Sequence, residues 1–282
     1  MELWFTEYHH NTIGFSLKVK ETLFVSESKY QRIQVLNTEA FGRVLLLDGL
    51  FMTTDRDEWT YHELLVHPAM FLHSNPEQVL VIGGGDGGAI REVVRHDTVK
   101  KAVLCEIDGL VIETCKRFFP QIACELTGNP RVEVQVRDGV QFMEENQTRF
   151  DVILVDSTDP IGPAVGLFQA DFYKKCLASL KEDGILVAQS ESPFYDMEIL
   201  KAMQNNLKAA GFPIVRFYWG FVPTYPSGMW SWVMASKKYD PLTDMNLEKA
   251  KQRMASMPLK YMTPELLRSV FDLPAFFKQA VS

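Results

Sequence analysis

Apolar and polar positions alternate in the first part of the chain and gather into short apolar runs further on. Phe15, Leu17 and Val19 alternate with Ser16 and Lys18, the period of a half-buried strand. Ile33, Val35 and Leu36 predict a second strand, and Val44 to Leu47 a third. Gly42 and the Asp48-Gly49 pair punctuate them as turns. A small antiparallel module over residues 15–53 is therefore expected. Residues 56–67 change to a helical pattern, which Pro68 is expected to interrupt or restart, because proline lacks the N–H of the helix ladder.

From residue 78 strands and helices alternate. Val79 to Ile82 is a buried apolar strand that runs into GGGDGG, and a helix follows through about His96. Ala102 to Ile107 is the next strand. Asp108 can cap a helix whose inner face carries Leu110, Val111, Cys115, Phe118 and Phe119. Val132 to Val136 and Val152 to Val155 are further strands. Phe168, Phe172, Cys176 and Leu180 share one helical face, and Ile185 to Ala188 is a strand. A helix from about Asp196 ends at Gly211, suited to the left-handed position after a helix. Ile214 to Trp219 and Trp230 to Ala235 close the series. Repeated β-α-β units predict an α/β chain with a mainly parallel, doubly wound sheet covered on both faces. The expected division is residues 1–55 as an N-terminal β domain and 56–282 as the α/β domain.

Composition narrows the function. The 282 residues are 46% hydrophobic, enough for a sizeable core. No apolar run approaches the ~20 residues of a membrane helix. The N-terminus MELWFTEYHH lacks the basic-then-apolar order of a secretory signal. Cys105, Cys115, Cys124 and Cys176 form no Cys-x-x-Cys pair and read as reduced thiols, so a cytoplasmic location is expected. Net charge is −7, from 36 acidic and 29 basic residues. That sign argues against nucleic acid and suits a cationic substrate, although charge alone serves solubility in many proteins.

Gly83-Gly84-Gly85-Asp86-Gly87-Gly88 lies between a strand and a helix, where glycine permits a tight turn and close approach of a ligand to backbone. Gly83, Gly85 and Gly88 satisfy G-x-G-x-x-G, and Gly83, Gly85 and Gly87 satisfy G-x-G-x-G. Glu106 ends the next strand, 23 positions after Gly83, where an acid can accept both ribose hydroxyls. Asp86 argues against a dinucleotide, since its carboxylate would repel a pyrophosphate at the helix N-terminus. An adenosine ligand carrying positive charge fits better. Asp138, before Gly139, could accept from an adenine amino group or cap residues 139–145, and both can hold. Asp156 and Asp159, in Asp-Ser-Thr-Asp-Pro at a strand's carboxyl end, are placed for a cation or a proton. The Gly- and Pro-rich IGPAVGLF beyond them suits a mobile lid. His62-Glu63 and His67 miss the i, i+4 histidine spacing of a helical zinc site, so no metal is expected.

These segments together resemble the spermidine synthase family of aminopropyltransferases. The resemblance covers LWFTE, Tyr30-Gln31, LLLDG, DEWTYHELLVHPAM, VLVIGGGDGG, CEID, RDG, DVILVDSTDPIGPA and PTYPSG, nearly the whole chain. It implies a Rossmann-like, S-adenosylmethionine-methyltransferase-type sheet behind a small antiparallel β domain. It also implies transfer of an aminopropyl group from decarboxylated S-adenosylmethionine, a co-substrate rather than a cofactor, to putrescine. Spermidine and methylthioadenosine would result. On this resemblance Asp156 is the base and Asp86 holds the donor's ammonium. Glu106 binds ribose, Asp138, Gly139 and Pro163 surround adenine, and Gln31 touches the nucleoside. His62, Tyr61, Asp159, Tyr225 and Trp4 line the acceptor channel. Family precedent implies a homodimer or homotetramer joined through the N-terminal strands. A methyltransferase on the same fold is the alternative, as is an agmatine-type acceptor. Asp86 and the Asp156/Asp159 pair speak against the former.

Overall fold

The computed structural model describes residues 2–147, 149–160 and 162–282, with the backbone alone for Gly162 and Pro163. Strands β1 (Leu3–His9), β2 (Ile13–Glu27), β3 (Arg32–Thr38), β4 (Gly42–Leu47) and β5 (Leu50–Thr54) form an antiparallel sheet in that order. Helix α1 (Glu58–Leu72) leads to the second sheet. Its units are β6 (Gln78–Gly83), α2 (Gly88–Val94), β7 (Lys101–Glu106), α3 (Gly109–Phe118), β8 (Val132–Val136), α4 (Gly139–Glu145), β9 (Phe150–Asp156), α5 (Ala170–Ser179), β10 (Leu180–Gln189), α6 (Met197–Ala210), β11 (Ile214–Phe221) and β12 (Met229–Ser236). Helices α7 (Leu247–Met254), α8 (Pro264–Ser269) and α9 (Ala275–Ala280) follow. Among the described residues no helix is long and apolar enough to cross a membrane.

The second sheet runs β11-β12-β10-β9-β6-β7-β8. Neighbours from β10 to β8 are parallel, and β12 is antiparallel to both β10 and β11. The chain winds outward from β6 to β8, then returns to place β9 on the other side of β6. The winding direction therefore reverses between β6 and β9, where a crevice opens at the carboxyl ends of the strands. Alternate residues of β6 serve opposite cores. Val79 and Val81 face α1, α2 and α3, while Leu80 and Ile82 face α4, α5 and α6. Such runs, apolar on both faces, are what a covered parallel sheet requires.

The N-terminal sheet is attached through one face. Ile33, Val35, Leu45 and Leu47 join the core around α1, whereas Leu17, Val19, Leu36, Val44, Leu46 and Phe51 form a separate cluster on the other face. The expected three strands are five. β1 escapes periodicity because its one buried residue is Glu7, whose carboxylate accepts the β5 backbone N–H of Phe51 at 2.6 Å. That contact folds the first strand back toward the fifth. Helices α7 to α9 are too short for periodicity to reveal.

Pro68 does not end α1, which continues to Leu72. Proline leaves the Leu64 carbonyl without its helical partner. The Tyr218 hydroxyl on β11 donates to that carbonyl at 2.9 Å and supplies the missing bond. The expected helix caps are present: Asp108 accepts from the Leu110 N–H, and Gly211 has a φ of 105°. Tyr218→Phe keeps the ring stacked on Trp232 but strands the buried Leu64 carbonyl. It should cost about 1–3 kcal/mol in urea unfolding, with kcat/KM little changed. Unaltered stability would mean that the carbonyl finds another donor.

Candidate active site

The crevice is built from backbone upward. β6 and β9 pair so that Gly83 stands opposite Asp156. Gly83 and Gly84 adopt φ of +79° and +67°, and the Gly84 N–H donates to the Asp156 carbonyl at 2.9 Å. A Cβ on Gly83 would stand 2.1 Å from that carbonyl oxygen, and one on Gly84 2.6 Å from Asp156 Oδ2. Only glycine lets the loop lie flat on the end of β9. The loop then turns into α2, where Asp86 Oδ1 accepts the Gly88 N–H at 2.8 Å.

A cavity of about 150 Å³ opens here. Gly83, Gly85, Asp86 and Asp156 line it, with Tyr61 and His62 from α1. Glu106, Asp138 and Gly139 line its other wall, at the carboxyl ends of β7 and β8, and Gln31 and Tyr225 reach it from separate loops. Glu106 accepts the Asp108 N–H at 2.8 Å and lies against Gly85. Gln31 donates to Asp108 Oδ2 at 3.0 Å, which ties the N-terminal sheet to α3. Asp138 caps α4 through Oδ1 alone, on the N–H groups of Val140 and Gln141. The IGPAVGLF segment forms a short 3-10 helix over Gly162–Phe168, with Ala164 and Leu167 on the cavity. Ile161 and the Pro163 side chain lie outside the described residues.

Asp156 is the half-buried focus. The Tyr61 hydroxyl donates to its Oδ1 at 2.7 Å. Burial and then the neighbouring Asp86 charge raise its pKa to about 6, against the opposing pull of His62 and Tyr61. His62 Nδ1 lies 2.8 Å from Glu58 and its Nε2 3.2 Å from Asp86. His67 faces elsewhere, on Glu92 and His96. The two histidines five positions apart thus join different partners.

The Spermine/spermidine synthase domain family matches residues 58–246, and the Spermidine synthase tetramerisation domain family matches 3–55. The chain belongs to the spermine/spermidine synthase family. It is 50% identical over 281 residues to a polyamine aminopropyltransferase of Caldicellulosiruptor bescii, covering 100% of this chain and 99% of the relative. It is 45% identical over 280 residues to that of Methanocaldococcus jannaschii, covering 99% and 95%. A solved spermidine synthase in complex with the transition-state analogue AdoDATO superposes with a TM-score of 0.96 at 44% identity, covering 99% of this chain and 94% of that one. The spermidine synthase of Thermotoga maritima gives 0.94 at the same identity and coverage. The chain is an aminopropyltransferase, acting in polyamine synthesis.

A second, narrower cavity of about 30 Å³ adjoins the enzyme's first. Tyr61, Ser157, Thr158 and Tyr225 line both. Asp159 lies in the second, with Glu7, His9, Gln189 and Trp230. Sequence reasoning found Asp159 but none of the other four. Glu7 lay inside the quoted LWFTE, with nothing local to mark it as buried. Gln189 ends β10, beside β9, so a rule that collects polar residues at the carboxyl ends of strands would have found it. Behind it Glu191, at φ 71°, is bonded to Gln189 and faces the Asp159 carboxylate. Burial pushes both acids up, Glu191 strongly. Trp4 lines neither cavity. It projects from β1, 54% exposed, because the buried side of that strand is taken by Glu7.

The acids carry a stability signature. Burial raises Glu7 and Glu106 to about 7 and Asp156 to about 6. Each binds its proton more tightly folded than unfolded, so its contribution is present at low pH and declines as pH rises toward the folded values. Glu58 and Glu92, held near 2 by His62, His67 and arginine despite burial, act oppositely and lose their contribution as pH falls from 4.5 toward 2. The unliganded enzyme should therefore melt at a lower temperature at about pH 7.5 than at about pH 5, and Glu106→Gln should flatten that slope. Thermal scans across this range check it, and a midpoint that rises with pH would contradict the burial argument.

Proposed function

We propose that the enzyme transfers the aminopropyl group of decarboxylated S-adenosylmethionine to putrescine, giving spermidine and methylthioadenosine. One observation carries this reading: a half-buried carboxyl with a raised pKa, Asp156, lines a roomy cavity and is bonded to Tyr61, which also lines a narrow acidic one. In the roomy cavity, Glu106 takes the ribose hydroxyls, and Gly83 and Gly85 admit the nucleoside against backbone. Asp138, Gly139 and Gln31 surround the base, and Asp86 attracts the donor's ammonium. In the narrow one, Asp159 and Glu7 hold the far ammonium of a linear diamine, with Tyr61 and Tyr225 flanking its methylenes. Trp4 has no part in this site, and His62 acts beside Asp86 instead of on the acceptor. The AdoDATO complex of the related spermidine synthase supports a site for donor and acceptor together. The exposed Leu3, Trp4 and Tyr8 of β1, within the segment matched to a tetramerisation domain, support assembly of copies through this sheet.

The chemistry follows from charge. An alkylamine is protonated near neutrality, with a pKa close to the lysine value of ~10.4. Asp156 takes one proton and frees the nitrogen lone pair. That pair attacks the methylene carbon next to the donor's sulfonium. The C–N bond forms as the C–S bond breaks, and the bonding electrons pass to sulfur, which leaves as a neutral thioether. A carboxyl raised to about 6 is a stronger base than an exposed one and is still ionised at neutral pH. Positioning and exclusion of water supply the remainder.

Product mass spectrometry with a panel of amines tests the acceptor. Asp156→Asn should lower kcat on the order of 10²–10⁴-fold while calorimetry still detects donor binding. A variant keeping more than half the activity would sink the base assignment. Asp86→Asn should weaken the decarboxylated donor roughly ten- to a hundredfold and S-adenosylmethionine less, since the latter's extra carboxylate no longer meets a like charge. An unchanged affinity ratio would move selectivity elsewhere.

A further inference from the structure

A buried line of polar side chains leaves the glycine loop and passes between α1 and α2. His62 lies between two carboxylates, Glu58 at 2.8 Å and Asp86 at 3.2 Å. Nδ1 is hydrogen-bonded to Glu58 and Nε2 faces Asp86, so a carboxylate at each nitrogen favours the doubly protonated ring. The ring is 2% exposed, and a Cβ at Gly88 would fall 2.2 Å from it, so it has no room to turn. Arg91 grips Glu58 with both arms of its guanidinium, at 3.0 and 2.7 Å. The line continues with opposite logic. Arg253 donates to His96 Nδ1 at 2.8 Å. His96 Nε2 then donates to His67 Nδ1 at 3.0 Å, and His67 Nε2 to Glu92 at 3.1 Å. Each of those rings has one donor and one acceptor nitrogen and is neutral. Of these three rings, His62 alone has a carboxylate at each nitrogen.

The charge bears on the reacting centre. Polar atoms of His62, Asp86 and Asp156 lie within 4.8 Å of one another. Facing His62 are Glu58 and the Tyr61 ring from α1, Asp86 from the loop, Asp156 from β9 and, behind Glu58, Arg91 from α2. Facing Asp156 are Asp86, His62 and the Tyr61 hydroxyl, with Glu106 and Tyr225 beyond them. Two carboxylates this close oppose each other's ionisation, and a cation between them relieves it.

We propose that Glu58, clamped by Arg91, is a positioning residue of the reaction: it holds His62 as an imidazolium between Asp86 and Asp156, and so keeps Asp156 ionised to receive the amine's proton. This rests on Asp156 being the base. Glu58 lines neither of the two cavities and acts through His62. Burial favours neutral imidazole, and the flanking carboxylates overcome it. Removal of one of them returns His62 to its neutral form, and Asp156 loses its only cationic neighbour among the groups that shift it.

The test is Glu58→Gln, in which Arg91 keeps its bond to Glu92 at 2.9 Å and so stays paired. Glu58→Gln/Arg91→Gln, which removes the charges together, is the second variant. Nitrogen NMR of labelled histidine should find His62 doubly protonated at about pH 7.5 in the wild type and neutral in the variants. The acid limb of kcat/KM should move up by about 1–2 pH units, and turnover lost near neutrality should return by about pH 9. A merely structural defect would not recover with pH. Neutral His62 in the wild type, which needs no variant to detect, overturns the proposal. So does a doubly protonated His62 in both variants, or an acid limb that stays in place while His62 changes state. Asp156→Asn with an unaltered acid limb and turnover would instead remove the base reading by itself.

Discussion

The contact between the glycine loop and the end of β9 sets how close the two acids at the centre of the site, Asp86 and Asp156, stand. Gly84 donates to the Asp156 carbonyl at 2.9 Å, and neither Gly83 nor Gly84 leaves space for a side chain there. With the loop flush against β9, Asp86 and Asp156 share one small volume. A larger residue would lift the loop and separate them. The reversal of winding between β6 and β9 makes the crevice, and the glycines let its floor close to atomic contact.

Acids placed so closely out of water are unfavourable without cations. Two solutions coexist. Glu58 and Glu92 sit on arginine and histidine and stay ionised far below the usual carboxylate range. Glu7, Glu106 and Asp156 have no such guanidinium partner, and burial raises them. The first group builds a rigid scaffold between α1 and α2. The second carries no such compensation, and on the proposed function it is these acids that hydroxyl and ammonium groups of the ligands would complete.

Much of the site was legible because its residues are local in the chain. GGGDGG, Glu106, Asp138 and Asp156 each end a strand that apolar runs disclose, and a covered parallel sheet brings strand ends together. Asp138 ends its strand as a helix cap, and capping uses only its Oδ1. Pro68 shows the opposite case. Its local rule predicts a break, and a tyrosine 150 positions further on cancels the reason for it.

The sequence by itself determined the strand and helix alternation, the glycine loop, and the family with its reacting acids, because these depend on backbone sterics and periodicities a few residues long. Tertiary structure decided which acids have raised and which have lowered proton affinity, and which residues line the narrower cavity. Glu7 became a buried cavity acid by bonding Phe51 across 44 positions, Trp4 faced outward as a consequence, and His62 took its charge from Glu58 on one side and Asp86 on the other. Proton affinity depends on distance and burial, and these arise only when segments far apart in the chain are packed together.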